Sequence, residues 1–162
     1  MFVSCGTRSS PAIDSFVSYL LVGAKPHHIY IGATISADPF ARLAQHNGLR
    51  SGGTARLVKG RPWAVAAWVS GFPTWKHALK FERAWQRGYA AACMRDAART
   101  GESVQGVVGK LRILCALLIT PTWYWHALHV HLVRGKLHKG FCAQREAVLA
   151  TRGHAHLTWW DP

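Results

Sequence analysis

Two short apolar runs open the readable part of the chain, Phe16 to Val22 (FVSYLLV) and His28 to Gly32 (HIYIG), with Gly23-Ala24-Lys25-Pro26 between them. β-Branched and aromatic runs bounded by Gly and Pro predict two strands joined as a hairpin. The period then changes. Asp38 and Pro39 are an N-cap and a first-turn residue, the following FARLAQHN reads as a short helix, and Gly48 supplies its stop. A basic, glycine-rich loop, Leu49 to Pro62, leads into a third apolar run, Trp63 to Ser70. Thr74 opens a longer helix in which Trp75, Ala78, Leu79, Glu82 and Trp85 recur at helical spacing on one face. Later, Val107 to Thr120 predicts another helix and the alternating Leu128-His129-Val130-His131-Leu132 a late strand. The order strand, strand, helix, strand, helix predicts an α/β (α+β) fold. Its core would be a small mixed or antiparallel three-stranded sheet flanked by helices, with a helical C-terminal extension.

Composition narrows the partners. The 162 residues are 49% apolar and 17% charged, which suits a folded domain. Twenty Lys+Arg against seven Asp+Glu give a net charge of +13, the signature of a surface that meets a polyanion. The longest greasy stretch, Ile113 to Ile119, is seven residues, where a membrane span needs roughly 18 or more, so no membrane role is expected. The first residues, MFVSCGTRSS, lack the apolar core of a signal peptide. Cys5, Cys93, Cys115 and Cys142 show no CxxC spacing, which predicts a reducing, intracellular setting, nuclear or cytoplasmic, with a bacterial or viral source open.

Chemistry concentrates at a few positions. Glu82 stands among tryptophans on its helix face, and a partly desolvated carboxylate calls for a metal or an arginine as partner. Arg42 and His46 are four apart on the short helix and together offer donors to a phosphate; taken alone, two solvated surface residues is the plainer reading. Tyr19 and Tyr30 lie one on each hairpin strand, where tyrosines mostly pack in a core. Arg50, Arg56, Lys59 and Arg61 make the loop suited to a DNA backbone. His126, His129 and His131 fall on different faces and do not suggest zinc. No GxGxxG, P-loop or Gly-x-Ser-x-Gly pattern is present.

Taken in order, Tyr19-Leu-Leu, Tyr30-Ile-Gly32, Arg42-Leu-Ala-Gln-His46-Asn47-Gly48, Gly52-Gly53-Thr54-Ala55-Arg56, Arg61-Pro62-Trp63, Gly71-Phe72-Pro73 and Ala78 to Gln86 resemble the GIY-YIG endonuclease superfamily. Within it they look like the nuclease domain of the Slx-type structure-specific endonuclease catalytic subunit. The resemblance runs from about residue 16 to 133. It implies a nuclease domain at 14–90 and a helical extension at 91–162 packed on it. It also implies a structure-selective DNA endonuclease that hydrolyses a phosphodiester in flaps, forks or junctions during repair, recombination or replication. The alternatives are an inactive GIY-YIG DNA-binding module and a sequence-specific nuclease of the superfamily. Tyr19, Tyr30, Arg42, His46 and Glu82 become the expected catalytic set, with Glu82 the ligand of one Mg²⁺ or Mn²⁺. Seven acids in the whole chain make a carboxylate-rich two-metal site hard to assemble. Arg50, Arg56, Lys59, Arg61, Lys80 and Arg83 become expected DNA contacts. Either tyrosine, as phenolate or relay, or His46 would take the water's proton. The pattern departs from the family at Val17-Ser18-Tyr19 and at Arg83, where a Trp is usual, and Gln86 stands where the family has Gln. After Val133 only Cys142, His138, His154 and His156 remain, short of the eight ligands of the family's RING-type zinc module on which its scaffold partner docks.

Overall fold

Val17–Val22 (β1) and Ile29–Thr34 (β2) pair antiparallel, with Tyr19 opposite Gly32 and Leu21 opposite Tyr30. Ala64–Ser70 (β3) lies antiparallel on the other side of β1, and His129–Val133 (β4) lies antiparallel on β3. His156–Trp160 (β5) runs parallel to β4, giving the order β2-β1-β3-β4-β5. The structure is a computed structural model that describes residues 16–25, 27–88 and 106–133 and the backbone of 156–160. The expected three-stranded core is present, and the late strand extends it as a fourth. The fifth falls where the sequence carried no readable pattern. Cys5, Cys93 and Cys142 lie outside the described residues, and Cys115 is a buried free thiol. No helix among the described residues is long and apolar enough to cross a membrane.

Both faces of the sheet are covered, which is why β1 reads as an apolar run interrupted only by Ser18, whose buried hydroxyl donates to the Ala78 carbonyl at 3.2 Å. On one face Val17, Tyr19, Leu21, Val65 and Trp68 pack with Leu57 and Trp63. Helix α1, Pro39–His46, and a 3₁₀ turn at Ala55–Gly60 contribute to this side. The turn lies in what the sequence presented as a plain loop. On the other face Leu20, Ile31, Ala67 and Val69 pack with α2 (Trp75–Arg87), α3 (Gly106–Leu118) and Trp123 of the short α4 (Pro121–Tyr124).

The two N-caps are those the sequence predicts. Asp38 Oδ1 accepts from the Phe40 amide at 2.8 Å and Thr74 Oγ1 accepts from the His77 amide at 3.3 Å; the stop of α2, for which the sequence reading names no residue, is Gly88 at φ +68°. The expected face of α2 needs correction. Ala78, Phe81 and Trp85 form its buried stripe, while Trp75, Leu79 and Glu82 lie half-buried along the flank. At 3.6 residues per turn, Phe81 and Trp85 turn the helix toward the core, which leaves Glu82 beside the packed tryptophan rather than beneath it.

Candidate active site

The Tyr19 and Tyr30 rings share one face of the hairpin because their strands pair antiparallel and side chains alternate. Their centroids are 6.3 Å apart, and His46, at the last position of α1, lies 6.1 Å from Tyr19 and 5.5 Å from Tyr30. Gly32 makes room for this group. A Cβ there would stand 2.6 Å from the Tyr19 hydroxyl oxygen and 2.7 Å from Cε1 of Tyr30. The glycine is needed for what it lacks.

His46 is fully enclosed at 0% exposure, with Nε2 2.9 Å from the Tyr19 hydroxyl and no hydrogen-bond partner for Nδ1 among the described residues. An imidazolium would need two acceptors, so burial, helped by the charges of Arg42 and Arg61, pulls its pKa down to about 4. The ring is neutral at physiological pH. Tyr19 is 1% exposed, and burial first, then Tyr30, pushes its phenol well above the ordinary value against the opposing pull of Arg42. Tyr30, half-buried, is also raised, by burial and then by Glu82, while Arg42 and Arg56 pull the other way. The cationic neighbours that a tyrosine base requires are present, but burial outweighs them.

Arg42 is held in place from its own helix and the following loop. Its Nη1 donates to Gln45 Oε1 at 2.6 Å and to the Gly52 carbonyl at 3.0 Å. The guanidinium also engages the Tyr19 hydroxyl, which still leaves part of its five N–H donors for an anion. Glu82 arrives from α2, which packs on β1 and β2. Gln86, one turn on, donates from Nε2 both to Glu82 Oε1 at 2.8 Å and to the Ile31 carbonyl at 2.9 Å, fixing the carboxylate against β2. Burial raises the Glu82 pKa, with Arg83 and Gln86 acting in the opposite sense. A partly desolvated carboxylate whose hydrogen-bond donor is a neutral amide suits a hard cation, and Mg²⁺ takes one or two carboxylates while keeping several waters. Among the described residues no cluster of three or more His, Cys, Asp or Glu offers a richer ligand set.

All five expected catalytic residues thus come together from β1, β2, α1 and α2. Of the expected DNA contacts, Arg50, Arg56, Lys59, Lys80 and Arg83 are exposed. Arg56 is close enough to act on Tyr30 and Arg83 on Glu82. Arg61 is different: half-buried, it donates from Nε to the His46 carbonyl at 2.7 Å, at the C-terminal end of α1 where a cation is favoured. Beside it, Asn47 makes a two-way amide clamp with Trp63, donating to its carbonyl at 2.9 Å and accepting from its N–H at 2.7 Å. Sequence reasoning passed over Gln45, Asn47 and Gly52, although Gln45 stands three residues after Arg42, the spacing at which helical side chains meet. His131 stacks on Trp68 at 4.7 Å while His126 lies against His77 and Trp123, so the three late histidines do not converge.

A hairpin presenting two tyrosines over an arginine–histidine helix, with one glutamate from the helix behind, defines a GIY-YIG domain. Residues 16–95 match the family described as the GIY-YIG catalytic domain, and that stretch of the chain belongs to it. The chain is similar to the structure-specific endonuclease subunit slx1 of Schizosaccharomyces japonicus, 34% identical over 137 residues that cover 80% of this chain and 49% of the relative. It is also similar to the SLX1 subunits of Eremothecium gossypii (39% identical, covering 78% of this chain and 43% of the relative) and Homo sapiens (35%, 78% and 47%). The chain therefore spans about half the length, or less, of these relatives.

Proposed function

We propose that this protein is a metal-dependent endodeoxyribonuclease that hydrolyses a phosphodiester at branches in DNA. The observation that carries the reading is the grouping of the Tyr19, Tyr30 and His46 rings, with Arg42 and Glu82 close enough to act on both tyrosines. The names of the relatives support the choice of branched DNA, and "subunit" in those names supports a partner protein. Residues 14–90 would form the nuclease unit and 91–162 an extension packed on it, acting wherever in the cell its DNA lies, nucleus or cytoplasm.

The chemistry follows from the groups present. Arg42, braced by Gln45 and Gly52, presents its free N–H groups to the scissile phosphate and offsets the charge that develops as a water attacks in line. A divalent ion, Mg²⁺ or Mn²⁺, would be held by Glu82 and would supply further positive charge to the phosphate and the leaving oxygen. Of the two tyrosines, Tyr30 has the better access to water; it takes the water's proton only as phenolate, the form that Arg42 and Arg56 favour against burial and Glu82 and that a bound divalent ion would favour further. The Tyr19 hydroxyl is enclosed and already engaged by His46. That pair sets the floor of the site and holds the Tyr30 ring. Arg50, Arg56, Lys59, Lys80 and Arg83 would track the backbone outside the cut.

The test incubates the purified protein with labelled flap, fork, four-way junction and linear duplex, with and without Mg²⁺. Cutting of one or more branched forms, sparing of linear duplex, and loss of cutting in Glu82→Gln are expected. Tight binding with no cutting under any condition would leave a DNA-binding module instead.

A further inference from the structure

Next to Arg42 a cleft of about 650 Å³ opens between the end of β2, α1 and the start of α2, with walls that include Thr34, Ile35, Ser36, Arg42, Gln45 and Trp75. This is room enough for a nucleotide. One wall is aromatic: Trp75 is half-exposed, its ring 6.1 Å from Phe16 behind it. Ile35 is 66% exposed, a large apolar side chain held at the rim. Ala33 and Ala41 add apolar lining, and the polar side chains of the other walls donate. Thr34 Oγ1 accepts from the Ser36 amide and Ser36 Oγ accepts from the Asp38 amide, each at 3.2 Å, which leaves both hydroxyl hydrogens to point elsewhere. Gln45 uses its carbonyl oxygen on Arg42 and keeps its amide N–H groups. A flat π surface, several neutral donors and one cation at the inner end describe a receptor for a nucleobase whose own phosphate lies on Arg42.

We infer that this cleft takes the first unpaired nucleobase at the branch, stacking it on Trp75, and that this capture is one source of selectivity for branched over linear DNA. The inference rests on the nuclease reading above and adds a subsite to it. A base inside a duplex reaches such a cleft only by leaving its stack, which costs free energy, whereas an unpaired base at a branch has already left it. The discrimination therefore requires no sequence-reading contact. Stacking on an aromatic side chain tolerates every base.

The experiment places 2-aminopurine, or an abasic unit, at the first unpaired nucleotide of a flap and measures binding by the full chain without divalent cation, so that no cutting interferes. Wild type is expected to quench the 2-aminopurine several-fold and to bind the abasic flap about 10-fold more weakly, the scale of one base–aromatic stack. Trp75→Leu, which keeps an apolar side chain against Phe16, is expected to lose the quench, to bind the normal flap about 10-fold more weakly, and to show no further loss with the abasic flap. If Trp75→Leu does not fold, Ile35→Ala, at an exposed position, is expected to shrink the abasic penalty. An abasic flap bound as tightly as the normal one by wild type, or losses that multiply between variant and abasic unit, would overturn the subsite. Parallel cleavage in Mg²⁺ separates the two readings: quenching without cutting of any branch removes the nuclease and leaves the base subsite. Cutting with a flat abasic comparison does the reverse, and no binding to flaps removes both.

Discussion

Adding a single methyl group at Gly32 tests the architecture of the site more directly than removing any of its functional groups. In Gly32→Ala the new Cβ would lie 2.6 Å from the Tyr19 hydroxyl oxygen, 2.8 Å from Tyr19 Cζ and 2.7 Å from Tyr30 Cε1. Ordinary contacts need about 3.5 Å or more, so both rings must retreat by close to 1 Å. Tyr19 has little room to do so, being 1% exposed and bonded to His46 Nε2 at 2.9 Å. Overpacking of this kind costs about 1–3 kcal/mol, which for a domain of this size lowers the melting temperature by roughly 4–8 °C at the middle of that range. The effect on turnover should be larger than the effect on folding, because a misplacement of about 1 Å costs on the order of 10²-fold. Thermal melts beside single-turnover flap cleavage measure both. Adding Tyr19→Phe to Gly32→Ala removes the closest atom and should restore part of the stability without restoring cutting. A Gly32→Ala protein that melts within a degree of wild type and cuts at its rate would refute the account of the site as a space kept open for two tyrosines.

Other perturbations probe single groups. Glu82→Gln should abolish cutting in Mg²⁺ while keeping flap affinity, and should leave melting unchanged or slightly higher, since the charged form is the one burial disfavours; a variant that still cuts removes Glu82 from the mechanism. For His46 the unfolded chain takes up a proton near pH 6.5 and the folded one near 4, so stability present above pH 6.5 should fall by about 3 kcal/mol as pH drops through that window. In denaturant titrations His46→Gln should flatten that fall, and an equally steep profile in the variant would assign it elsewhere. Arg61→Ala should lower stability by about 1–2 kcal/mol because the His46 carbonyl is left without its donor, with a smaller effect on flap affinity; the opposite ranking would make Arg61 a DNA-binding residue first. Replacing Arg50, Arg56 and Lys59 together should flatten the salt dependence of binding by a slope of about 0.9 for each phosphate that is no longer neutralised, and an unchanged slope would move the basic face to other residues.

The first four strands, the helix starts and the five central residues are legible in the sequence because each leaves a local mark: an apolar run, an N-cap, a glycine stop, an ordered series of short motifs. What is not legible depends on which way an element turns or on contacts made across the chain. Trp75, Ala78, Leu79, Glu82 and Trp85 fit one helix face on paper, but Phe81 outweighs that pattern and turns α2, and only the sheet beneath decides the question. Arg61 looks like any cation of a basic loop until its Nε is seen on the carbonyl of His46. The 3₁₀ turn at Ala55–Gly60, six residues long, is too short to set up a recognisable periodic pattern. The perturbed phenols of Tyr19 and Tyr30 could not be read at all, because desolvation is a property of the assembled site.

The helix that carries Glu82 is supported from far downstream. Trp85 Nε1 donates to the Lys110 carbonyl at 2.7 Å, Lys110 Nζ donates back to the Gln86 carbonyl at 2.8 Å, and Phe81 packs 5.0 Å from Trp123. Every one of those supports lies beyond residue 95, where the match to the family ends. The stretch that matches the family model is thus shorter than the stretch that supports the glutamate's helix. As the chain leaves the ribosome, Tyr19 through Glu82 emerge first with β1 and β2 to carry the glutamate's helix on one side, and its far wall follows only with α3 and α4. A graft of residues 16–95 into another protein would carry all the chemistry and leave behind the wall it leans on.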